Sequence, residues 1–423
     1  MQLKRHVLAL AILSMTSPTI VWATNGYFAH GYGLKAKGRA GAAVATHDDA
    51  FFGANNPAAA AFAGKRIDLG ADLFSPIRKA SRSGLGPGLD GSVESDSNYF
   101  VIPEFGYVTQ MSPNLALGVT VYGNGGLNTD YPRGQFNCGM GPANMLCGNG
   151  RLGVDLMQLI VAPTVAYKLS ADHAVGLSPL VGYQRFRAEG LQAFASVSSD
   201  SANLTNRGYD SSFGFGVRVG YQGRIAPGVT VGAAYASKMN FDEFDKYRGL
   251  FANRGEFDIP EHYALGIAVQ ATPQVRLALD YQRINYSDVR SVGNPSTNPA
   301  QLGAANGPGF GWKDVNIWKL GVEYQHSKAL TLRAGWNHGD NPIRARDVTF
   351  NILAPGVIQD HLTLGFTYSL PSGNELTVSY MHAFSNDVKG ASILPVFMGG
   401  SPTGNEKIEM YQNAIGVQYS WKL

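Results

Sequence analysis

The sequence predicts an all-β fold: a 14-stranded antiparallel transmembrane β-barrel with a small N-terminal helical hatch, or plug, in its lumen. Three observations predict it. From about Ile67 to the C-terminus the chain reads as roughly fourteen segments of period-two hydrophobicity. The connections between them alternate between long and very short, as in bacterial barrels with tight turns at one end and loops at the other. Many of the apolar stripes close on Tyr or Trp, as an interfacial aromatic girdle requires.

The first element is a leader. Lys4 and Arg5 precede an apolar run from Val7 to Leu13 and the small-residue site Val21-Trp22-Ala23, so residues 1–23 read as a secretory signal peptide cut after Ala23. Residues 24–64 do not alternate. They are rich in Gly and Ala, with short helical patches expected at Asp48-Asp49-Ala50-Phe51-Phe52 and at Asn56-Pro57-Ala58-Ala59-Ala60-Ala61-Phe62. Asn56 is placed to cap the second patch, with Pro57 at the first helical position, where a missing N–H costs nothing. An apolar segment that is neither strand nor leader must pack somewhere, and the lumen is the economical place.

The barrel is expected over residues 65–423, with strands at 66–79, 98–110, 114–124, 155–169, 172–187, 209–224, 228–240, 256–271, 274–289, 314–327, 329–340, 359–370, 374–388 and 407–423. Successive strand residues point to opposite faces, so each stripe lies on one side of the sheet. Clear examples are Val275, Leu277, Leu279 and Tyr281; Trp318, Leu320, Val322 and Tyr324; Leu362, Leu364, Phe366 and Tyr368; and Ile415, Val417, Tyr419 and Trp421. Met111-Ser112-Pro113, Ala226-Pro227, Thr272-Pro273 and Pro371-Ser372-Gly373 mark tight turns. Short turns belong on the periplasmic side, so an even strand number puts both termini in the periplasm of a Gram-negative cell, around a multi-pass outer-membrane barrel.

Composition agrees. With 423 residues, 52 Gly and only 15% charged residues, the chain has no run of about 18 apolar residues beyond the leader, which excludes a helical membrane protein. A soluble β-sandwich would share the mean hydropathy and is the minor alternative. Cleavage removes two of the 34 basic residues and leaves them nearly balanced against 31 acidic ones, so nothing suggests nucleic acid. Cys138 and Cys147 lie in one Gly/Asn-rich loop, where an exported protein is expected to carry a disulfide. A metal site would need more ligands than that loop holds, and neither metal nor cofactor is expected.

The chain resembles the FadL/TodX family of outer-membrane transporters for long-chain fatty acids and aromatic hydrocarbons. The resemblance rests on the start Thr24-Asn25-Gly26-Tyr27-Phe28, the run Gly31-Tyr32-Gly33-Leu34-Lys35-Ala36-Lys37-Gly38, the hatch motif Asn56-Pro57-Ala58, Gly123-Asn124-Gly125-Gly126-Leu127-Asn128-Thr129-Asp130-Tyr131, Gly311-Trp312-Lys313-Asp314 and Leu376-Thr377-Val378-Ser379-Tyr380-Met381-His382. It implies a monomer whose extreme N-terminus lies against the ligand pocket. It also implies an inward kink in the third strand through which ligand leaves sideways into the outer-membrane lipid. One departure is the ending Trp421-Lys422-Leu423, where such barrels finish on an aromatic residue; the barrel assembly machinery would then rely on Tyr419 and Trp421.

The residues themselves point to a similar gate. Pairing strands two and three across Ser112 places Pro103 opposite Val121, with Pro163 at a similar height on the fourth strand. Proline cannot donate to a ladder, and Gly123, Gly125 and Gly126 let the chain bend. Pro103, Gly123, Gly125, Gly126 and Pro163 are therefore expected to form a lateral gate; ordinary barrel bulges are the plainer alternative.

A hydrophobic ligand needs apolar contacts, and Tyr27, Phe28, Phe51 and Phe52 are candidates, with plug packing the competing role for the two at 51 and 52. A fatty-acid carboxylate also needs a basic partner. Arg185 and Arg187 share one face of the fifth strand, and Gly182-Tyr183-Gln184-Arg185 resembles the strand that supplies such an arginine in fatty-acid members; they would otherwise line a wet lumen. No convincing second basic residue for the carboxylate is seen near Gly309-Phe310-Gly311-Trp312, so neutral hydrocarbons remain an alternative to long-chain fatty acids, the expected substrate. No enzyme is expected: Ser379 and His382 are three apart on one strand and face opposite ways, and neither G-x-S-x-G nor H-E-x-x-H occurs. With no phosphate-binding loop, transport is expected to be passive. A general polar porin is the more distant alternative.

Overall fold

In the computed structural model, which describes residues 25–139, 141–397, 399–401 and 403–423, the alternating segments pair into one antiparallel sheet. The expected leader, 1–23, lies outside the described residues. The barrel strands are β1 (Arg66–Ser83), β2 (Phe100–Gln110), β3 (Leu115–Tyr131), β4 (Leu152–Lys168), β5 (His173–Glu189), β6 (Asp210–Ala226), β7 (Val229–Ala236), β8 (His262–Gln270), β9 (Val275–Ile284), β10 (Val315–Gln325), β11 (Leu330–Gly339), β12 (Asp360–Ser369), β13 (Glu375–Ala391) and β14 (Asn405–Lys422). Each pairs with its sequence neighbours. The sheet closes where β14 meets β1, from Arg66 opposite Lys422 to Ser83 opposite Asn405. The result is a closed 14-stranded barrel.

The outward face is the apolar one. Leu279, Leu320, Val322, Trp336, Leu364, Ile415 and Val417 are exposed there, while their sequence neighbours turn into the lumen. Closure pairs the backbone groups without an edge, as hydrocarbon demands, except along one stretch of β2. Two strand limits differ most from expectation. β3 continues to Tyr131 rather than 124, because its far half stays paired to β4. β8 begins at His262 rather than 256, because Pro260 precedes it and cannot extend a ladder.

Residues 25–64 fill the lumen. They carry an α-helix at Leu34–Lys37 and a 3-10 helix at Pro57–Ala61. The patch expected at 48–52 is not helical: the Asp49 carboxylate accepts from the Phe51 N–H at 3.0 Å, a local turn that competes with helix. The Asn56 side chain does cap the 3-10 helix, accepting from the Ala58 N–H at 3.1 Å. Its amide donates at 2.8 Å to the carbonyls of both Val44 and Tyr221, so one residue ties two parts of the plug to β6. Close approach of plug to wall needs glycine: a Cβ at Gly335 of β11 would stand 2.5 Å from the Arg39 backbone, and one at Gly232 of β7 would stand 2.1 Å from the Val44 carbonyl.

The Cys138 and Cys147 sulfurs are bonded to each other and close the loop after β3.

Candidate ligand site

The site is built from the start of the plug. Gly26 takes a positive φ of 70°, and the Asn25 N–H donates to the Phe28 carbonyl at 3.0 Å, so residues 25–28 form a tight turn. That turn is held by β3. The Gly126 N–H donates to the Tyr27 carbonyl and the Ala29 N–H to the Asn124 carbonyl, at 3.2 and 3.3 Å. β3 is bulged at this point, between Gly123 and Gly125, and only glycine fits at 125, where a Cβ would fall 1.8 Å from the Tyr27 oxygen.

The bulge coincides with a break in the wall. β2 and β3 pair from Gln110 opposite Ala116 to Phe105 opposite Val121, and no further. Beyond that point β3 pairs with β4 and with the plug, which leaves Phe100–Glu104 of β2 without a partner on that side. Pro103 lies in this unpaired stretch, opposite Ala71 of β1. The structure thus brings Pro103, Gly123, Gly125 and Gly126 to the stretch where the β2–β3 ladder is interrupted. Pro163 does not join them. It pairs with Val119 lower on β3, and the ladder it interrupts is that of β4 and β5, between the Val161–Val181 and Val165–Leu177 pairs.

Tyr27 and Phe28 are buried in an aromatic cluster. The Tyr27 ring lies 5.2 Å from Tyr286, 5.9 Å from Trp312 and 6.0 Å from Phe257, and Phe28 packs edge-on to His262 at 5.1 Å. The Tyr286 hydroxyl accepts from the Tyr27 N–H and donates to the Asn25 carbonyl, fixing the turn from the loop side. Burial pushes the Tyr27 phenol well above its ordinary value, with Tyr286 and Asp258 adding to the effect, so it stays neutral.

Above this floor is an apolar cleft of about 530 Å³ that includes its open mouth, at the long-loop end. Its walls come from several loops and strand ends: Leu146, Val154, Phe186, Leu191, Phe194, Leu250, Phe251, Phe310 and Leu353 among them, with Ser291 the sole polar side chain among the described residues. Two aromatic steps connect it to the plug. Phe251 meets Phe257 at 4.9 Å and Phe310 meets Trp312 at 6.3 Å, and both Phe257 and Trp312 touch Tyr27.

The remaining candidates lie elsewhere. Phe52 packs with Ala58–Ala61, Val108, Ala116, Ala166 and Ala174 near the short-turn end, and Phe51 packs against Gly33 within the plug. Arg185 and Arg187 do share a face, but it is the outer one. Phe186 between them points into the cleft, and the odd positions of β5, such as Val175 and Leu177, are exposed outward. The fifth-strand arginines are therefore not lumen residues, and among the described residues no Arg, Lys or His lines the cleft.

Sequence reasoning missed the ionic seat of the plug. Lys35 meets Glu375 at 2.6 Å, Lys37 meets Asp72 and Glu104, and Arg39 meets Asp48 and, at 2.9 Å, Glu323. Burial disfavours the Lys37 ammonium, but the two carboxylates outweigh it and hold the group above its ordinary value. The signal was present in Asp72, Glu104 and Glu323, each an acid at an inward-facing position of a strand.

A closed barrel with an interior plug, a bulged strand and an apolar vestibule defines an outer-membrane channel for hydrophobic compounds. The chain belongs to the outer membrane protein transport protein family (OMPP1/FadL/TodX), whose model matches residues 16–393. That family comprises transport channels of Gram-negative outer membranes. Among solved structures, the toluene transporter TodX of Pseudomonas putida is 18% identical, with a TM-score of 0.67 over 93% of this chain and 99% of that one. A FadL homologue of Pseudomonas aeruginosa is 15% identical, with a TM-score of 0.71 over 94% and 99%. The toluene transporter TbuX of Ralstonia pickettii is 17% identical, with a TM-score of 0.63 over 93% and 99%. No curated protein matches the sequence.

Proposed function

We propose that this chain carries small neutral hydrophobic molecules, aromatic hydrocarbons foremost, passively from the cleft past Tyr27 and out through the gap between β2 and β3 into the bilayer. The observation that carries this reading is the continuous aromatic path from an uncharged cleft to the first residues of the plug. A fully buried carboxylate without a cation would be expensive, whereas each buried CH₂ of a neutral ligand contributes about 0.8 kcal/mol. Ligand that displaces Tyr27 and Phe28 also takes away their hydrogen bonds to β3, which couples occupancy of the site to the opening.

Long-chain fatty acids are the second reading, favoured by Arg218. This buried β6 guanidinium donates to the Gly53 carbonyl, the Tyr122 hydroxyl and His262, beside Phe28, with no carboxylate within 4.0 Å among the described residues. Uptake of labelled toluene and labelled oleate by cells lacking their own transporter separates the two. Toluene uptake with no oleate uptake is expected; oleate uptake that disappears in Arg218→Gln would replace the first reading by the second.

A further inference from the structure

The two arginines that face away from the lumen form a site of their own. On the outward surface of β5 and β6, register pairs run from the membrane toward the long-loop end as Val181 with Phe215, Tyr183 with Phe213, and Arg185 with Ser211. The order is apolar, aromatic, then cationic. Phe213 and Phe215 are 54% and 65% exposed, and Tyr183 and Phe213 pack at 5.3 Å, so this shelf faces acyl chains. Immediately above it the Arg185 and Arg187 guanidiniums both stack on the ring of Tyr209, at 4.6 and 5.0 Å. The Tyr209 hydroxyl is anchored on the buried Asp155, and Lys246 Nζ lies on the Tyr209 carbonyl, which adds a third cation to the group.

Several other outward cations near this end are paired within the protein, Arg283 with Asp314 at 2.8 Å and Lys407 with Glu409 at 2.9 Å among them. Arg187 reaches Glu189 at 3.3 Å. Arg185 has no acid within 4.0 Å among the described residues, and its buried Nε has no hydrogen-bond partner. An unpaired guanidinium held rigid by aromatic stacking, one step above an acyl-facing shelf, is suited to a phosphate that itself sits above acyl chains.

We propose that Arg185, Tyr209 and Arg187 bind the phosphate of a phosphorylated glycolipid in the outer leaflet, with Tyr183, Phe213 and Phe215 against its acyl chains. Basic clusters at this depth recognise anionic head groups, and arginine forks match phosphate geometry.

The test uses the full-length protein in detergent and native mass spectrometry, with bisphosphoryl lipid A, its dephosphorylated form and phosphatidylethanolamine as probes. Retention of bisphosphoryl lipid A over the dephosphorylated form by about fivefold or more is expected of the unaltered chain, as for a charge-assisted contact. R185Q/R187Q, checked for heat-resistant barrel mobility, is expected to lose that preference while retaining phosphatidylethanolamine unchanged. Equal retention of the two lipid A forms by the unaltered chain would overturn the proposal without recourse to any variant. Displacement of lipid A by an equal concentration of inorganic phosphate would also overturn it, since the site would then read a free anion.

Discussion

At the scale of single residues, Asp49 shows how a plug can be seated under strain. Burial, and the carboxylate of Asp68 close by, raise its carboxyl to about 6 against the opposing pull of Arg66 and Lys35. A carboxyl that holds its proton more tightly in the folded state than when free, near 4, contributes stability that is complete below pH 4 and is lost as pH rises to about 6. Asp49→Asn keeps the acceptor for the Phe51 N–H and removes the charge. Its melting temperature should exceed that of the unaltered chain at pH 7.5, by an amount reflecting roughly 3 kcal/mol, and match it at pH 4; equal melting at both pH values would count against the assignment. Arg185 and Arg187 carry the opposite lesson about legibility. Their shared face follows from strand periodicity, but which face it is depends on the rest of the strand. Val175, Leu177, Val181 and Tyr183 occupy the same parity as the arginines, and Gly176, Gly182 and Gln184 the other, so the outward assignment was present in the pattern. The expectation of a carboxylate partner weighed against it.

Among the elements, β3 departs furthest from an ideal strand. Its position, its tight turn and its glycines could be read from the sequence, whereas its extension to Tyr131 could not. Those last residues are buried almost throughout, and Asn128, Thr129 and Asp130 put polar side chains on both faces, so no period-two alternation marks them. The pairing of Phe28 with Gly125 was also illegible, because a contact between residues so distant in sequence leaves no local mark. Gly125→Val tests that contact directly. A side chain there collides with the Tyr27 carbonyl, so the N-terminal turn should detach while the barrel still assembles. In planar bilayers the variant is expected to conduct ions measurably more than the unaltered chain, and identical conductance would show that the turn does not seal the channel.

Considered as a whole, the molecule is a wall and a plug joined by charge. The wall was legible because hydrocarbon imposes a strict period on every strand. The plug was legible as a non-alternating remainder, and Asn56 as its cap, but its ionic seat depends on which strands curl around it. Lys37 is central, held between Asp72 and Glu104 from two different strands. Lys37→Met would leave both carboxylates buried and facing each other, a loss on the order of 3 kcal/mol. Protease digestion of intact outer membranes should then cleave the N-terminal segment faster, with the barrel core still resistant; unchanged cleavage would place the seat elsewhere.

The glycine contacts of the plug carry a consequence for biogenesis. Residues 25–64 leave the ribosome before any strand, yet Val44 rests on Gly232 and Arg39 on Gly335, in strands made much later. During export the segment has no surface on which to fold. Its native contacts can be completed only once those strands are in place, so the plug, though first in the chain, is last to finish folding.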